Sequence, residues 1–335
     1  MTQKVLCIGT LIVDIINDAI PRMLNAGEGI TTAVEVQLGG NAYNFSVNLR
    51  QLGWRQGQLA CLGAAGADHF GGLFRRELVN QNIDPLITVI PGERTSKNII
   101  LQVVGEERRY HYDEGANKQL DLDYVLARIR ELQPDLLCIG EIGSLGKTGK
   151  HLRHILETAK SVGSLTVVDI VIPPQEDWTY LHEAVQLIDI LHCNDMEARS
   201  FTGQADIREM IAKLLGLGIR LPLVSLGERG LACAFDGQYY SFPAFNVHAL
   251  DPTGAGDAFT AGFVKKLMES DGMTLKDKLG NQSTKLLDAI LFGEAAGASC
   301  VMGFGCTQSV SEQSVCSLLE SQAENVLSAV TQMAV

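Results

Sequence analysis

Short apolar runs recur along the chain, separated by stretches in which apolar positions return every three or four residues. The runs at 5–8, 58–62, 136–139, 165–169, 188–193 and 221–225 have strand length and little alternation, which predicts strands buried on both faces. The stretches 44–52, 71–81, 124–132, 152–162 and 207–215 carry the helical period, and 310–333 predicts a C-terminal helix with an apolar face. Strand and helix alternating this often predict an α/β fold, a mainly parallel sheet with helices on both faces. No internal repeat or low-complexity linker interrupts it, so residues 1–335 are expected to form a single domain. Ligands of such sheets bind at the carboxyl ends of the strands.

Two segments depart from this rhythm. Residues 29–38 alternate apolar and polar positions through Ile30, Thr32, Val34, Val36 and Leu38. Residues 95–112 are rich in β-formers and carry a Gly105-Glu106-Glu107 turn, the pattern of a hairpin. Together they predict a small antiparallel sheet outside the main one, with lid segments near 15–38 and 94–113. The alternative is an extra edge of the main sheet.

Composition narrows the partners. Hydrophobic residues make up 46% and charged residues 20%, which excludes the disordered class. The formal charge is −12, from 27 basic and 39 acidic residues. The basic clusters Arg75-Arg76 and Arg108-Arg109 are too short for a phosphate-backbone footprint, so no nucleic-acid partner is expected. The eight cysteines form no C-x-x-C pair and several lie inside apolar runs, as expected of buried reduced thiols. No signal peptide precedes the first apolar run, and no stretch reaches the ~20 apolar residues of a membrane span. A cytoplasmic protein without a membrane partner is expected.

The candidate chemistry concentrates at Asp251-Pro-Thr-Gly-Ala-Gly-Asp257. Phe259, Phe263 and Leu267 follow at helical spacing, so a helix begins near Asp257, directly after the glycines. Free N–H groups at such a helix start, with the helix dipole behind them, favour an anion. Asp257 there is either a helix cap or a general base beside an anion hole. Two other nucleotide signatures fail. The first strand is followed by only one glycine, Gly9, not by G-x-G-x-x-G. Gly146-Lys147-Thr148 imitates the end of a P-loop, but the required first glycine is Glu141.

Five segments in order resemble the ribokinase-like family of sugar and nucleoside kinases (the phosphofructokinase-B type). They are Gly39-Gly40-Asn41-Ala42-Tyr43-Asn44 with its continuation to Gly53, Gly63-Ala-Ala-Gly66-Ala-Asp68-His-Phe70-Gly71, Asn194-Asp-Met-Glu197, Ser225-Leu-Gly227-Glu228-Arg-Gly230, and 251–263. The resemblance implies a doubly wound sheet with a β-lid, and an ATP-dependent kinase acting on a hydroxyl of a small sugar or sugar derivative. It implies Asp257 as base, Gly254, Ala255 and Gly256 as anion hole, and Asp14, Gly40, Asn44 and Glu141 on the substrate. Asn194, Glu197, Ser225, Gly227 and Gly230 fall on the nucleotide, with Glu197 holding Mg²⁺ through water. Asp251, Thr253, Gly305 and Ser309 align with a K⁺ loop. A homodimer through the lid is implied as well. Within the same resemblance a nucleoside kinase is the alternative. Outside it stands a non-catalytic sugar- or nucleotide-binding regulatory protein, against which the intact 254–257 loop counts.

The departures bear on substrate and nucleotide. Ribokinase has an asparagine where Ile12 stands, and Gly-Gly-Lys-Gly where this chain has Gly39-Gly40-Asn41-Ala42, which argues against ribose as the main acceptor. Glu294 falls at the adenine-side position, usually asparagine. Ile170-Val171 replaces the usual Pro-Asn after the strand ending at Asp169.

Overall fold

The protein is described by a computed structural model covering residues 3–55, 57–106, 109–269 and 283–335. Ten strands form the main sheet: β1 (Gln3–Ile8), β4 (Gly57–Gly66), β5 (Asp84–Ile90), β8 (Leu136–Gly140), β9 (Leu165–Asp169), β10 (Ile190–Asn194), β11 (Leu221–Ser225), β12 (Leu231–Phe235), β13 (Gln238–Phe242) and β14 (Thr331–Ala334). Their spatial order is β14-β13-β12-β11-β10-β9-β8-β1-β4-β5. Pairing is parallel from β5 through β11, and antiparallel from β11 through β14.

Alternate residues of the central strands feed two separate cores, because successive side chains leave a strand on opposite faces. Val5, Cys7, Leu136, Cys138, Val167 and Ile190 pack with Phe45 and Leu49 of helix Asn41–Gln51 and with Phe259 and Phe263 of helix Ala255–Met268. Leu6, Ile8, Leu137, Ile139, Val168 and Leu191 pack with Ile129, Ile155 and Ile211 on helices of the other face. The expected helical layer on each face is therefore present. All eight cysteines are free thiols and only Cys316 is exposed. Among the described residues, no helix is long and apolar enough to cross a membrane.

The second sheet has the order β3-β2-β6-β7, from β2 (Ile12–Ile20), β3 (Val34–Gly39), β6 (Ser96–Val103) and β7 (Arg109–Asp113). It is a separate body, as expected of a lid, but the expectation needs correcting in three ways. Residues 12–20 form a strand that the sequence pattern did not single out, beginning before the lid segment expected from near 15. Its pairing with β6 is parallel, so the sheet is mixed, not antiparallel. Within 29–38 only Val34 onward is strand, because residues 29–33 make no ladder. The β6–β7 hairpin is present, with Gly105 in its turn, while Glu107 and Arg108 lie outside the described residues. The C-terminal helix ends at Ser328, and Thr331–Ala334 adds an edge strand to β13 instead.

The winding reverses between β1 and its neighbour β8: β4 and β5 lie to one side, and β8 onward to the other. The crevice that such a reversal opens lies outside the carboxyl ends of the strands. Thr10 follows β1 there, and Glu141 follows β8.

Candidate active site

Gly254 starts helix Ala255–Met268 with φ 79, a left-handed conformation, and a Cβ on it would lie 2.5 Å from Cys306 Cβ. Only glycine fits that turn. No side chain caps this helix. The Asp257 carboxyl instead bridges to helix Asn41–Gln51: Asn41 Nδ2 donates to Oδ1 at 2.6 Å and Asn44 Nδ2 donates to Oδ2 at 2.8 Å. The cap reading of Asp257 is thereby excluded; Asn44 lies inside its own helix, whose N-cap is Gly40. Burial drives the Asp257 pKa well above the ordinary carboxylate range; Asp169 and Glu141 push it further, and the two amides oppose them. Ala255 N–H bonds back to Pro252 O at 3.3 Å, which leaves the N–H groups of Gly254, Gly256 and Asp257 as the candidate anion donors.

The substrate-side residues gather around the winding reversal. Glu141 adopts φ 48 directly after β8, and its Oε2 accepts from Thr10 Oγ1 and, at 3.4 Å, from Asn41 N. Burial raises its pKa. Gly40 is the N-cap of helix Asn41–Gln51 at φ 87. Asp14 sits on β2 in one row with Gln37 of β3, Asn98 of β6 and Tyr112 of β7. Burial lifts Asp14 to about 7, the Asn98 side chain opposes this by hydrogen bonding, and Glu141 and Asp251 add to the rise. Asp14 is therefore a residue of the second sheet. By register, Lys97 and Arg109 belong to the opposite face of the sheet; Lys97 Nζ donates to Thr95 O and lies over the Phe70 ring.

On the other side of the reversal, Asn194 caps helix Asp195–Thr202. Its Oδ1 accepts from Glu197 N at 2.9 Å, and Glu197 Oε2 accepts from Asn194 N at 2.7 Å. Asn194 is thus a helix cap, with Glu197 as its reciprocal partner. Burial raises Glu197 to about 7, with Asp169 adding to the rise. Gly227 is exposed at φ 61, in the turn after β11. Gly230 is buried where a Cβ would lie 1.9 Å from Phe242 O, so its place is fixed by strand packing. Among the described residues, no three His, Cys, Asp or Glu side chains converge as a metal cage. Glu197 with the neighbouring carboxylates fits a hydrated Mg²⁺ arriving with a nucleotide, since that ion keeps several of its waters.

The loop pair aligned with a cation site does come together. Asp251 is buried and accepts from Thr253 N at 2.8 Å and from Gly305 N at 3.3 Å. The carbonyls of Thr253 and Cys306 each lie 3.5 Å from the Cys300 thiol, and that of Gly305 lies 4.0 Å away. Ser309 offers its carbonyl to Ser299 Oγ at 2.8 Å. Glu294, on helix Ser283–Val301, is raised to about 8 by burial alone.

Sequence reasoning missed Thr10, Asn41, Asp169 and His192 as site residues. His192 and Asp169 had one signal: an ionisable residue within a short buried strand, Asp169 at the carboxyl end of β9 and His192 in the middle of β10. Asn41 had none, because its partner is 216 positions away.

The fold and the sequence are similar to those of known carbohydrate kinases. A family model described as pfkB family carbohydrate kinase matches residues 2–313. The ribokinase of Haemophilus influenzae is 26% identical over 299 residues, covering 87% of this chain and 90% of that protein. The solved ribokinase of Giardia lamblia superposes with a TM-score of 0.83 at 21% identity, over 96% of this chain and 99% of its own. The ribokinase of Arabidopsis thaliana, solved with ribose and ATP, superposes with a TM-score of 0.76 at 22% identity, over 96% and 99%.

Proposed function

The chain belongs to the pfkB family of carbohydrate kinases, and from that premise we propose that it transfers the γ-phosphate of ATP to a hydroxyl of a small sugar or sugar derivative. Asp257 takes the proton of the attacking hydroxyl. The N–H groups of Gly254, Gly256 and Asp257 receive the charge that spreads over the transferred group, without that of Ala255, which the resemblance had included. One observation carries this reading: the Asp257 carboxyl leaves its own helix uncapped and is held by Asn41 and Asn44 at the mouth of the glycine turn. Amide donors fix the carboxylate without supplying a countercharge, and its burial favours proton uptake.

Asp14, Asn98 and Tyr112 offer one row of polar groups to the sugar, with Gly40, between β3 and helix Asn41–Gln51, and Glu141, after β8, beside them. Ile12 and Ala42 are buried with no hydroxyl partner to give, which disfavours ribose as the acceptor. Asn194, Glu197, Ser225 and Gly227 face the nucleotide, with Mg²⁺ supplying charge neutralisation on the phosphates. The carbonyls around Asp251 and Gly305 suit K⁺. The same reading includes a homodimer through the lid, because Val34, Val36 and Ile99 are exposed on the sheet face opposite Asp14.

The test is a coupled ATP-consumption screen over ribose, ketoses, hexoses, sugar acids and nucleosides, with and without K⁺. Turnover of a sugar that exceeds ribose and every nucleoside supports the proposal. A nucleoside as best acceptor replaces it with a nucleoside kinase, and no turnover at all replaces it with a binding protein.

A further inference from the structure

The carboxyl ends of β9, β10 and β11 carry a hydrogen-bonded chain that phosphoryl transfer as derived above leaves unused. Asp169 closes β9, His192 lies opposite it on β10, and Ser225 closes β11. His192 Nδ1 is 2.8 Å from Asp169 Oδ2, and Nε2 is 2.8 Å from Ser225 Oγ. Thr260 Oγ1 donates to the same Asp169 oxygen at 3.3 Å. His192 is 3% exposed and Asp169 9%, while Ser225 is half-buried and reaches the crevice.

Placing these groups inside a sheet has a desolvation cost, and an apolar residue at 192 would fill the space without it. The same imidazole touches two parts of the crevice. A Cβ on Gly256 would lie 3.1 Å from His192 Cε1, and Phe259 stacks on the ring at 4.9 Å. His192 thus joins the glycine turn to the 225–230 segment.

The chain has a direction. A carboxylate only accepts, so the imidazole proton sits on Nδ1 facing Asp169. In the neutral imidazole Nε2 is then the acceptor, and the Ser225 hydroxyl donates to it. With its hydrogen committed inward, Ser225 Oγ shows only lone pairs to the crevice. It lies opposite Asn194 in the β10–β11 register, beside the box that holds Glu197. An acceptor hydroxyl beside a carboxylate suits a ligand that offers hydrogens, and the waters on a bound cation do so.

We propose that Asp169 and His192 are positioning residues that hold Ser225 Oγ as a fixed acceptor for the water shell of nucleotide-bound Mg²⁺. The proposal rests on the crevice being the nucleotide site. The experiment measures ADP binding by calorimetry with and without Mg²⁺, for the parent, Ser225→Ala, His192→Phe and the double variant. Each single change should weaken Mg·ADP about tenfold, leave Mg-free ADP within twofold, and raise the ATP KM without moving the sugar KM. The double variant should be no weaker than Ser225→Ala, since both act through one oxygen. Ser225→Thr should restore most of the affinity.

Additive losses in the double variant overturn the proposal. So does equal weakening with and without Mg²⁺. If 2′,3′-dideoxy-ADP abolishes the difference between parent and Ser225→Ala, the partner is a ribose hydroxyl and the metal assignment is wrong. Should His192→Phe not fold, the Mg²⁺ dependence of Ser225→Ala alone decides. A parent that binds Mg·ADP but phosphorylates no acceptor refutes the kinase reading, and the ADP comparison still decides this one; a parent that does not bind ADP refutes both.

Discussion

Asp14 and Asp257 are carboxylates in one crevice with opposite tasks. In the proposed reaction Asp257 gains a proton, whereas Asp14 stays ionised to accept hydrogens from sugar hydroxyls. Burial holds Asp14 near 7 in the fold, against about 3.9 in an unfolded chain. The folded state therefore binds the extra proton between those values, and its stability falls as pH rises through that window and levels off above 7. Asp14→Asn removes this penalty. Its Tm should exceed the parent's by more at pH 8 than at pH 5, while its sugar KM rises at least tenfold. In the parent, the sugar KM should fall as pH rises through about 7. A pH-independent sugar KM would mean that Asp14 does not touch the substrate. Asp257 was legible in the sequence, and the family resemblance implied its task; position alone did not, because cap and base coincide at a helix start. The amides of Asn41 and Asn44, from a helix more than 200 residues away, take the carboxyl out of the cap.

The strands and helices of the main sheet were legible because buried parallel strands are short apolar runs and their helices keep one apolar face. The lid was harder. β2 follows β1 after a gap of three residues, so its apolar positions blend with those of the first strand. Its parallel partner β6 lies about 80 residues away, beyond any local pattern. Register then settles what periodicity left open, namely which lid side chains face Asp14. Asn98 shares its row; Arg109 does not. Asn98→Ala should raise the sugar KM about tenfold, the worth of one hydrogen bond to a charged group. Arg109→Ala should stay within twofold. Steady-state kinetics on the best acceptor of the screen checks both, and the reverse ranking would assign the substrate to the other face of the sheet.

At the scale of the molecule, the two sheets have different surfaces to cover. Helices cover both faces of the main sheet. The lid turns one face to the crevice and leaves Val34, Val36 and Ile99 exposed on the other, between 44% and 56%. A second copy seated there would bury them. Sedimentation velocity should find a dimer for the parent and a monomer for Val36→Glu with Ile99→Lys; a monomeric parent would leave the lid to act within a single chain. The central claim, that the glycine turn and its carboxylate perform the transfer, depends on Asp257 more than on any other residue. Asp257→Asn keeps the shape of the side chain and removes the base. The decisive measurement is its kcat on the best acceptor, with ADP binding as the control for an intact site. A kcat at least a hundredfold lower is expected, the typical reach of one general base, with ADP affinity within a few-fold of the parent. A kcat within a few-fold of the parent's would contradict that claim.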